Sequence, residues 1–333
     1  MLKDFLKANG LALESEELLP EVIQNDVQAV VDDVEKANTS ADEVVATDDA
    51  AVALESLVAT LESCGGAKTA LEKHLVMTQA AMLYKSMGLA APVVPALESA
   101  DSFELSLEGF KETAQKVVAA IKAAWEKLVK MFKDLWARIG DTAGRLHKAL
   151  SAKLKETEKT TVSFKAPMLN LGTETVNDSN LNEVFTRNDI KETVEFCDNF
   201  MRDLSEKLKA GKSDTVGQEI ADLDKKQANQ ASETKEVTFE VTVSKAGPVI
   251  LNQLNQISKY HRDWAGRNAR KEALLNEYTE ALKKSSIDSD MYPEWFLRRA
   301  ANAIMKAAKM EERTMTICST QTIRVANKFM ATL

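Results

Sequence analysis

Apolar residues recur three and four positions apart along most of this chain, and the most regular run begins just after Gly109. Ala114, Val117, Ile121, Ala124, Leu128, Met131, Leu135 and Ile139 alternate those two steps, with Val118, Trp125, Phe132 and Trp136 widening the stripe. That spacing predicts one apolar helix face. Lys111, Lys116, Lys122, Lys127, Lys130, Lys133 and Arg138 supply the opposite face, and basic charge continues to about Lys159. Trp with Lys at such spacing also suits a membrane surface. A helix packed on its neighbours with solvated lysines is the more frequent origin of the pattern.

Before this run the pattern is weaker. Leu18, Leu19, Val22, Ile23, Val27, Val30, Val31 and Val34 predict amphipathic helix within residues 1–36, with Pro20 in an early turn. Residues 37–53 degenerate into Asn, Thr, Ser, Asp and Ala, short of large apolar groups, and are expected to be mobile. Helical spacing returns over 52–61 and 68–87 on either side of Gly65-Gly66, and stops at Pro92-Val93-Val94-Pro95. Residues 1–108 therefore read as loosely packed helices and linker.

After residue 160 the signals mix. Residues 160–179 are turn-rich, with 161–164 as a short strand. Ile190, Val194, Cys197, Met201, Leu204 and Leu208, reinforced by Phe196 and Phe200, predict a helix within 180–210. Residues 211–234 read as a short helix or a surface excursion. Residues 237–243 alternate with period two, a strand that can pair with 161–164. Pro248 is placed to open a long helix reaching Leu282, and Pro293 to start a last one through Phe329. The short turn between them predicts an antiparallel pair. The fold class expected is mainly α: a multi-helix bundle with long antiparallel C-terminal helices over 248–331 and at most a small β element.

Charge divides the chain more sharply than hydropathy. Residues 1–108 hold twenty Asp and Glu against six Lys and no Arg, a net −14, whereas residues 109–333 hold 37 Lys and Arg against 31 acids, a net +6. An acidic segment joined to a basic body is the expected organisation. The body would comprise the amphipathic Trp/Lys helix of 109–159, the 180–210 helix and the 248–331 hairpin. Its net charge, without a groove-reading motif, predicts weak, sequence-independent binding of duplex DNA. Lys116, Lys122, Lys127, Lys130, Arg138, Arg145, Lys148, Arg262, Arg267 and Arg270 are the candidate phosphate contacts.

Other chemistry is sparse. Cys64, Cys197 and Cys318 are odd in number and far apart, so no disulfide framework or zinc spacing can be drawn from them. His74, His147 and His261 fall on separate helical segments with no second ligand at metal spacing. A glycine-rich phosphate loop, a nucleophile elbow and paired carboxylates in an apolar context are all missing. No catalytic residue, metal or cofactor is expected, and the chain reads as a non-enzyme. The start lacks a secretory apolar run, and the longest uncharged stretch, 86–97, is too short to span a bilayer. Synthesis in the cytoplasm is expected.

One short pattern recurs: a small residue, any residue, then Glu. Eight of the twelve glutamates before Gly109 have Ala or Ser two positions earlier, against two of nineteen after it. Helices rich in Ala and Glu generate this pattern freely. That explains less well the serine-containing pair Ser102-Phe103-Glu104 and Ser106-Leu107-Glu108, expected to be non-helical and placed where the charge changes sign.

The acidic leader, these tripeptides, the Ser-Phe-Glu-Leu-Ser-Leu-Glu-Gly-Phe junction at 102–110 and the Trp/Lys helix after it together resemble the internal head proteins of giant tailed bacteriophages. The resemblance is strongest over about 96–139, and Thr322-Ile323-Arg324-Val325-Ala326 is similar to the family's closing helix. It implies that a prohead protease removes an N-terminal propeptide, here 1–108, after the Glu of a small-x-Glu site. It further implies that the mature protein is packaged with the genome, beside other capsid and core proteins, in the capsid interior. Carried onto this chain, the processing sites are Glu98, Glu104 and Glu108, with Glu14, Glu55 and Glu72 as earlier cuts and Glu108 favoured. The alternatives are a membrane-active or host-directed effector ejected with the genome, and a purely structural helical scaffold.

Overall fold

The computed structural model describes residues 20–63, 67, 69–90, 102–169, 174–186, 189–210, 216–228, 234–285 and 294–333. Among them are eight helices and three strands: α1 (Pro20–Ser63), α2 (Ala70–Ser86), α3 (Ser102–Glu156), β1 (Thr161–Leu169), β2 (Thr175–Asn177), α4 (Leu181–Thr186), α5 (Asp189–Ala210), α6 (Val216–Ala228), β3 (Thr234–Thr242), α7 (Val243–Ser285) and α8 (Glu294–Thr332). The mainly α expectation holds.

The last helix is the hub. From residue 300 to 330 nearly every side chain of α8 is buried or partly so, with α1, α3, α5, α7 and β1 packed around it. A helix buried on all sides is ordinarily apolar all round, yet this one carries Thr316, Thr320 and Thr322. Their hydroxyls donate to backbone carbonyls one turn earlier, Glu312 at 2.7 Å, Thr316 at 2.6 Å and Cys318 at 3.1 Å, so burial leaves none of these donors unpaired. α7 runs antiparallel to α8: Lys271 meets Glu311, while Leu275 packs against the cluster that holds Met305.

The strand pairing expected between 161–164 and 237–243 is present and longer. β1 and β3 are antiparallel over their full lengths with Phe164 opposite Phe239, and the two rings stack at 4.8 Å. The short β2, hidden in the turn-rich segment, adds to the other side of β3 in parallel, giving the order β1-β3-β2. Phe329 of α8 closes the sheet's inner face, 6.0 Å from Phe164. The segment 211–234 contains a helix, α6, whose Ile220 and Leu223 are buried beside α5 and α8.

Three expectations need correction. Residues 37–53 are not a mobile stretch but the middle of α1. Ala37, Ala41 and Ala51 are fully buried there, so the residues that looked too small to anchor a helix are the ones that let it approach its neighbours. Thr39 and Thr47 donate to the Glu35 and Glu43 carbonyls at 3.0 and 2.8 Å, keeping their hydroxyls within the helix. Second, α3 begins at Ser102, so the junction 102–108 is helical backbone. Third, Pro248 does not open α7 but lies within it, five residues past Val243, where β3 passes directly into helix.

α3 and α7 cross closely at Gly140. A Cβ built there would lie 2.5 Å from His261 Nδ1 and 2.9 Å from its Cγ, whereas one built at Gly144, a turn later, meets nothing within 4 Å. Gly140→Ala is therefore expected to destabilise the protein by about 1–3 kcal/mol, while Gly144→Ala is neutral or stabilises by up to about 1 kcal/mol. Urea unfolding of the two variants checks the contrast, and equal stabilities would contradict the crossing.

Candidate functional site: the seat of the acidic helix

α1 carries eleven acids and one Lys; α3 carries eleven Lys and Arg against seven acids, and α8 seven against three. The fold lays the acidic helix along the two basic ones. Toward α3, Asp26 pairs with Arg145 at 2.9 Å and Asp33 with Arg138. Toward α8, Asp42 takes both Lys309 at 2.7 Å and Arg313 at 3.3 Å, and Asp49 takes Lys306 at 2.8 Å. Arg324 faces Asp32 and Glu35 without a direct bond. Between these pairs Val27, Val30, Val34, Ala37 and Ala41 join the main core. Asn302 also donates to the buried Asp48 carboxylate.

A second polar assembly lies deeper, between α3, α7 and α8. Glu312 accepts from the indole N–H of Trp136 at 2.7 Å and of Trp264 at 2.9 Å, with the Lys271 ammonium 3.5 Å away. Glu311 pairs with Lys271 at 2.8 Å and Arg267 at 3.3 Å. Burial acts to strip the Lys271 ammonium of its proton, but Glu312 and Glu311 outweigh it, so its pKa stands above the ordinary lysine value. Two acids and two bases thus share one closed environment. With both indoles and both cations engaged from within, this assembly has a structural role: it fixes how three helices meet.

Among the described residues no group of His, Cys, Asp and Glu could hold a metal ion, and no helix is long and apolar enough to cross a membrane. Cys197 and Cys318 are buried thiols in no disulfide, and burial pushes the Cys197 thiol well above its usual pKa. The family model of the phiKZ-like phage internal head proteins matches residues 22–258 of the 333. The chain belongs to that family. The match takes in α1 together with α3, so the acidic helix is part of the family's shared region, and it stops within α7. No curated protein and no solved structure matches.

For an internal head protein the two sets of sequence-derived sites fall out unevenly. Of the small-x-Glu tripeptides, those ending at Glu43, Glu55, Glu72, Glu104 and Glu108 lie on helical backbone, and those ending at Glu14, Glu17 and Glu98 fall outside the described residues. Glu72 is engaged in a capping box: its carboxylate accepts from the Thr69 N–H at 2.9 Å and its own N–H donates to the Thr69 hydroxyl at 3.2 Å. Of the candidate phosphate contacts, Lys127, Lys130, Arg138, Lys148, Arg262 and Arg270 are exposed, Arg138 while paired with Asp33 of α1, and Arg145 is partly buried against Asp26. The side chains of Lys116 and Lys122 lie outside the described set. Arg267 is a correction: it is 8% exposed, paired with Glu311 and bonded to the Tyr260 carbonyl at 3.1 Å, so no phosphate reaches it. Lys306, Lys309 and Arg313 were not singled out by sequence, because on an isolated helix they look like any solvated face.

Asp48 is a weak point in this seat. Burial raises its pKa from 3.8 to about 6, partly offset by the Asn302 hydrogen bond. A folded pKa above the unfolded one means that stability is lost as pH rises from about 4 through 6, leaving a penalty of roughly 2–3 kcal/mol at neutral pH. Asp48→Asn keeps an oxygen for Asn302 and removes the charge. It is expected to stabilise the protein by about 1–3 kcal/mol at pH 7.5 and by almost nothing at pH 4. Urea melts at the two pH values check this, and no gain at pH 7.5 would refute it.

Proposed function

We propose that this internal head protein is made with an acidic leader, processed by a prohead protease at the 98–108 junction, and retained with the packaged DNA inside the capsid, where it meets other core proteins. The observation that carries the reading is the crowding of three small-x-Glu tripeptides, at Glu98, Glu104 and Glu108, into the point where chain charge changes sign. Pro92 and Pro95 just before them disfavour helix. The first turn of α3 is the part of that helix most easily opened, because its leading N–H groups have no intrahelical partner. Removing the leader converts a chain of net −8 into a body of net +6, and positive charge inside a shell filling with DNA favours retention by non-specific phosphate contacts. Synthesis in the host cytoplasm and passage into the host with the genome fit the same role.

The membrane-active alternative draws least support, since of the two Trp residues that suggested it Trp136 is fully buried and Trp125 packs partly buried against the core. The scaffold alternative differs in having no dealings with DNA. The test of processing is the N-terminal sequence of the protein recovered from purified virions. Ser99, Leu105 or Gly109 as the new first residue supports the proposal, and an intact Met1 overturns it.

A further inference from the structure

α1 is held on the body by ion pairs and by a row of Val and Ala side chains that join the main core. Where α1 faces α3 and the middle of α8, its buried residues are Val and Ala, whereas Leu54, Val58 and Leu61 cluster instead with Met77 and Tyr84 of α2. From the body, Met305 is buried in that cluster, and Trp125 and Leu275 pack against it partly buried. The leader helices therefore carry part of their own core with them, and α1 lies along a strip of six cations: the exposed Arg138 and the partly buried Arg145 on α3, and Lys306, Lys309, Arg313 and Arg324 on α8. Lys309 is buried and Lys306 nearly so. Cations in such places are costly without a counter-charge.

Part of the strip is already open. A cleft of about 450 Å³ lies between α1, Thr234 at the start of β3, and α8, with Arg313, Arg324 and Gln321 of α8 facing Glu35, Asn38 and Asp42 of α1. Gln321 is only 5% exposed, and its Nε2 and the Asn38 Oδ1 find no hydrogen-bond partner. A buried, unpaired amide donor in a cleft that also holds two guanidinium groups suits a phosphate oxygen once the Glu35 and Asp42 carboxylates of α1 move away.

We infer that this strip on α3 and α8 is the body's binding surface for the phosphate backbone of duplex DNA, that α1 occupies it as an internal polyanion, and that the Arg313–Arg324 cleft is where the first phosphate enters. The inference rests on the proposed removal of the leader in the presence of DNA and says where the DNA then lies. The α8 cations span about 27 Å at 1.5 Å per residue, roughly eight base pairs of duplex at about 3.4 Å each. α1 is a workable placeholder, because its carboxylates present a row of negative charge to the same two helices. DNA replaces it only when α1 is loosened, which makes binding conditional on processing.

The test uses the full chain. Asp26→Asn, Asp33→Asn, Asp42→Asn and Asp49→Asn are combined in one variant, and Glu158→Gln, Glu240→Gln, Glu272→Gln and Glu277→Gln, all exposed acids that make none of the seat's ion pairs, in a control of the same net charge. Binding to a 30-base-pair duplex is measured across a salt series. The seat variant is expected to bind at least tenfold more tightly than the control at low salt, with a log–log salt slope steeper by about 2–4 from the added phosphate contacts. Equal gains in both variants would overturn the seat while leaving non-specific DNA binding in place. No binding by either would overturn the seat and the DNA part of the proposed function, though not the processing, which the virion N-terminus reads independently. If the seat variant does not melt cooperatively, the single changes Arg324→Gln and Arg270→Gln in the unaltered chain decide. Arg324→Gln is expected to weaken the residual binding several-fold more than Arg270→Gln, and the reverse order would sink the assignment.

Discussion

Replacing Glu312 by Ala should cost about 3–5 kcal/mol, the range for breaking a buried ionic network by removing one partner. The carboxylate holds three helices at once: Trp136 of α3 and Trp264 of α7 each donate an indole N–H to it, and Lys271 stands 3.5 Å away. Without it two buried donors lose their acceptor, at about 1–3 kcal/mol each before relaxation, and Lys271 retains only Glu311. Glu312→Gln separates acceptor from charge. It keeps an oxygen for one indole and should cost about 1–3 kcal/mol. Tryptophan fluorescence follows the unfolding directly, since two of the four Trp residues sit on this carboxylate. A loss below about 1 kcal/mol for Glu312→Ala would mean that the helices are held by apolar packing alone.

The hydrophobic spacing made the long helices and the β1–β3 pair readable, because both depend on period and on aromatic positions such as Phe239. What it missed lies in how helices meet. Ala37, Ala41 and Ala51 carry little apolar surface, so a sequence window scores them as poor anchors; their value is in closeness, which exists only once a partner helix is present. Glu311 and Glu312 fall between Lys309 and Arg313 in a sequence that reads as a solvated charged face. The structure turns Glu311 and Glu312 toward α7 and the two bases toward α1, and no periodicity distinguishes the two uses. The seat was legible in part: the charge asymmetry announced that an acidic segment would meet a basic one. Which bases it meets required the helix faces, and Arg267, one of the candidates chosen from its charged neighbourhood, proved to be inside.

The proposed processing site carries the largest expected effect, because blocking cleavage there would change the product completely. Glu98, Glu104 and Glu108 are changed to Gln singly and together, and the mass of the protein in assembled particles is followed. Gln keeps the side-chain size and removes the charge that a basic protease pocket would recognise. With α3 starting at Ser102, Glu98 precedes the helix while Glu108 lies nearly two turns inside it. A cut after Glu98 leaves Asp101, Glu104 and Glu108 on the body. A cut after Glu108 removes all three acids and needs the first two turns to open, which is easiest once Glu98 has been cut and the helix end is free to fray. Glu108→Gln alone should then yield a product beginning at Leu105 or Ser99, and Glu98→Gln alone should slow the appearance of a Gly109 product without abolishing it. The triple variant should stay uncut at the junction. Because α1 packs against α3 and α8 through the seat, its leader should remain on the body, and DNA retention in those particles should fall with it. A triple variant that still produced a chain starting at Gly109 would show that the glutamates are not what the protease reads, and that their crowding at the junction is composition alone.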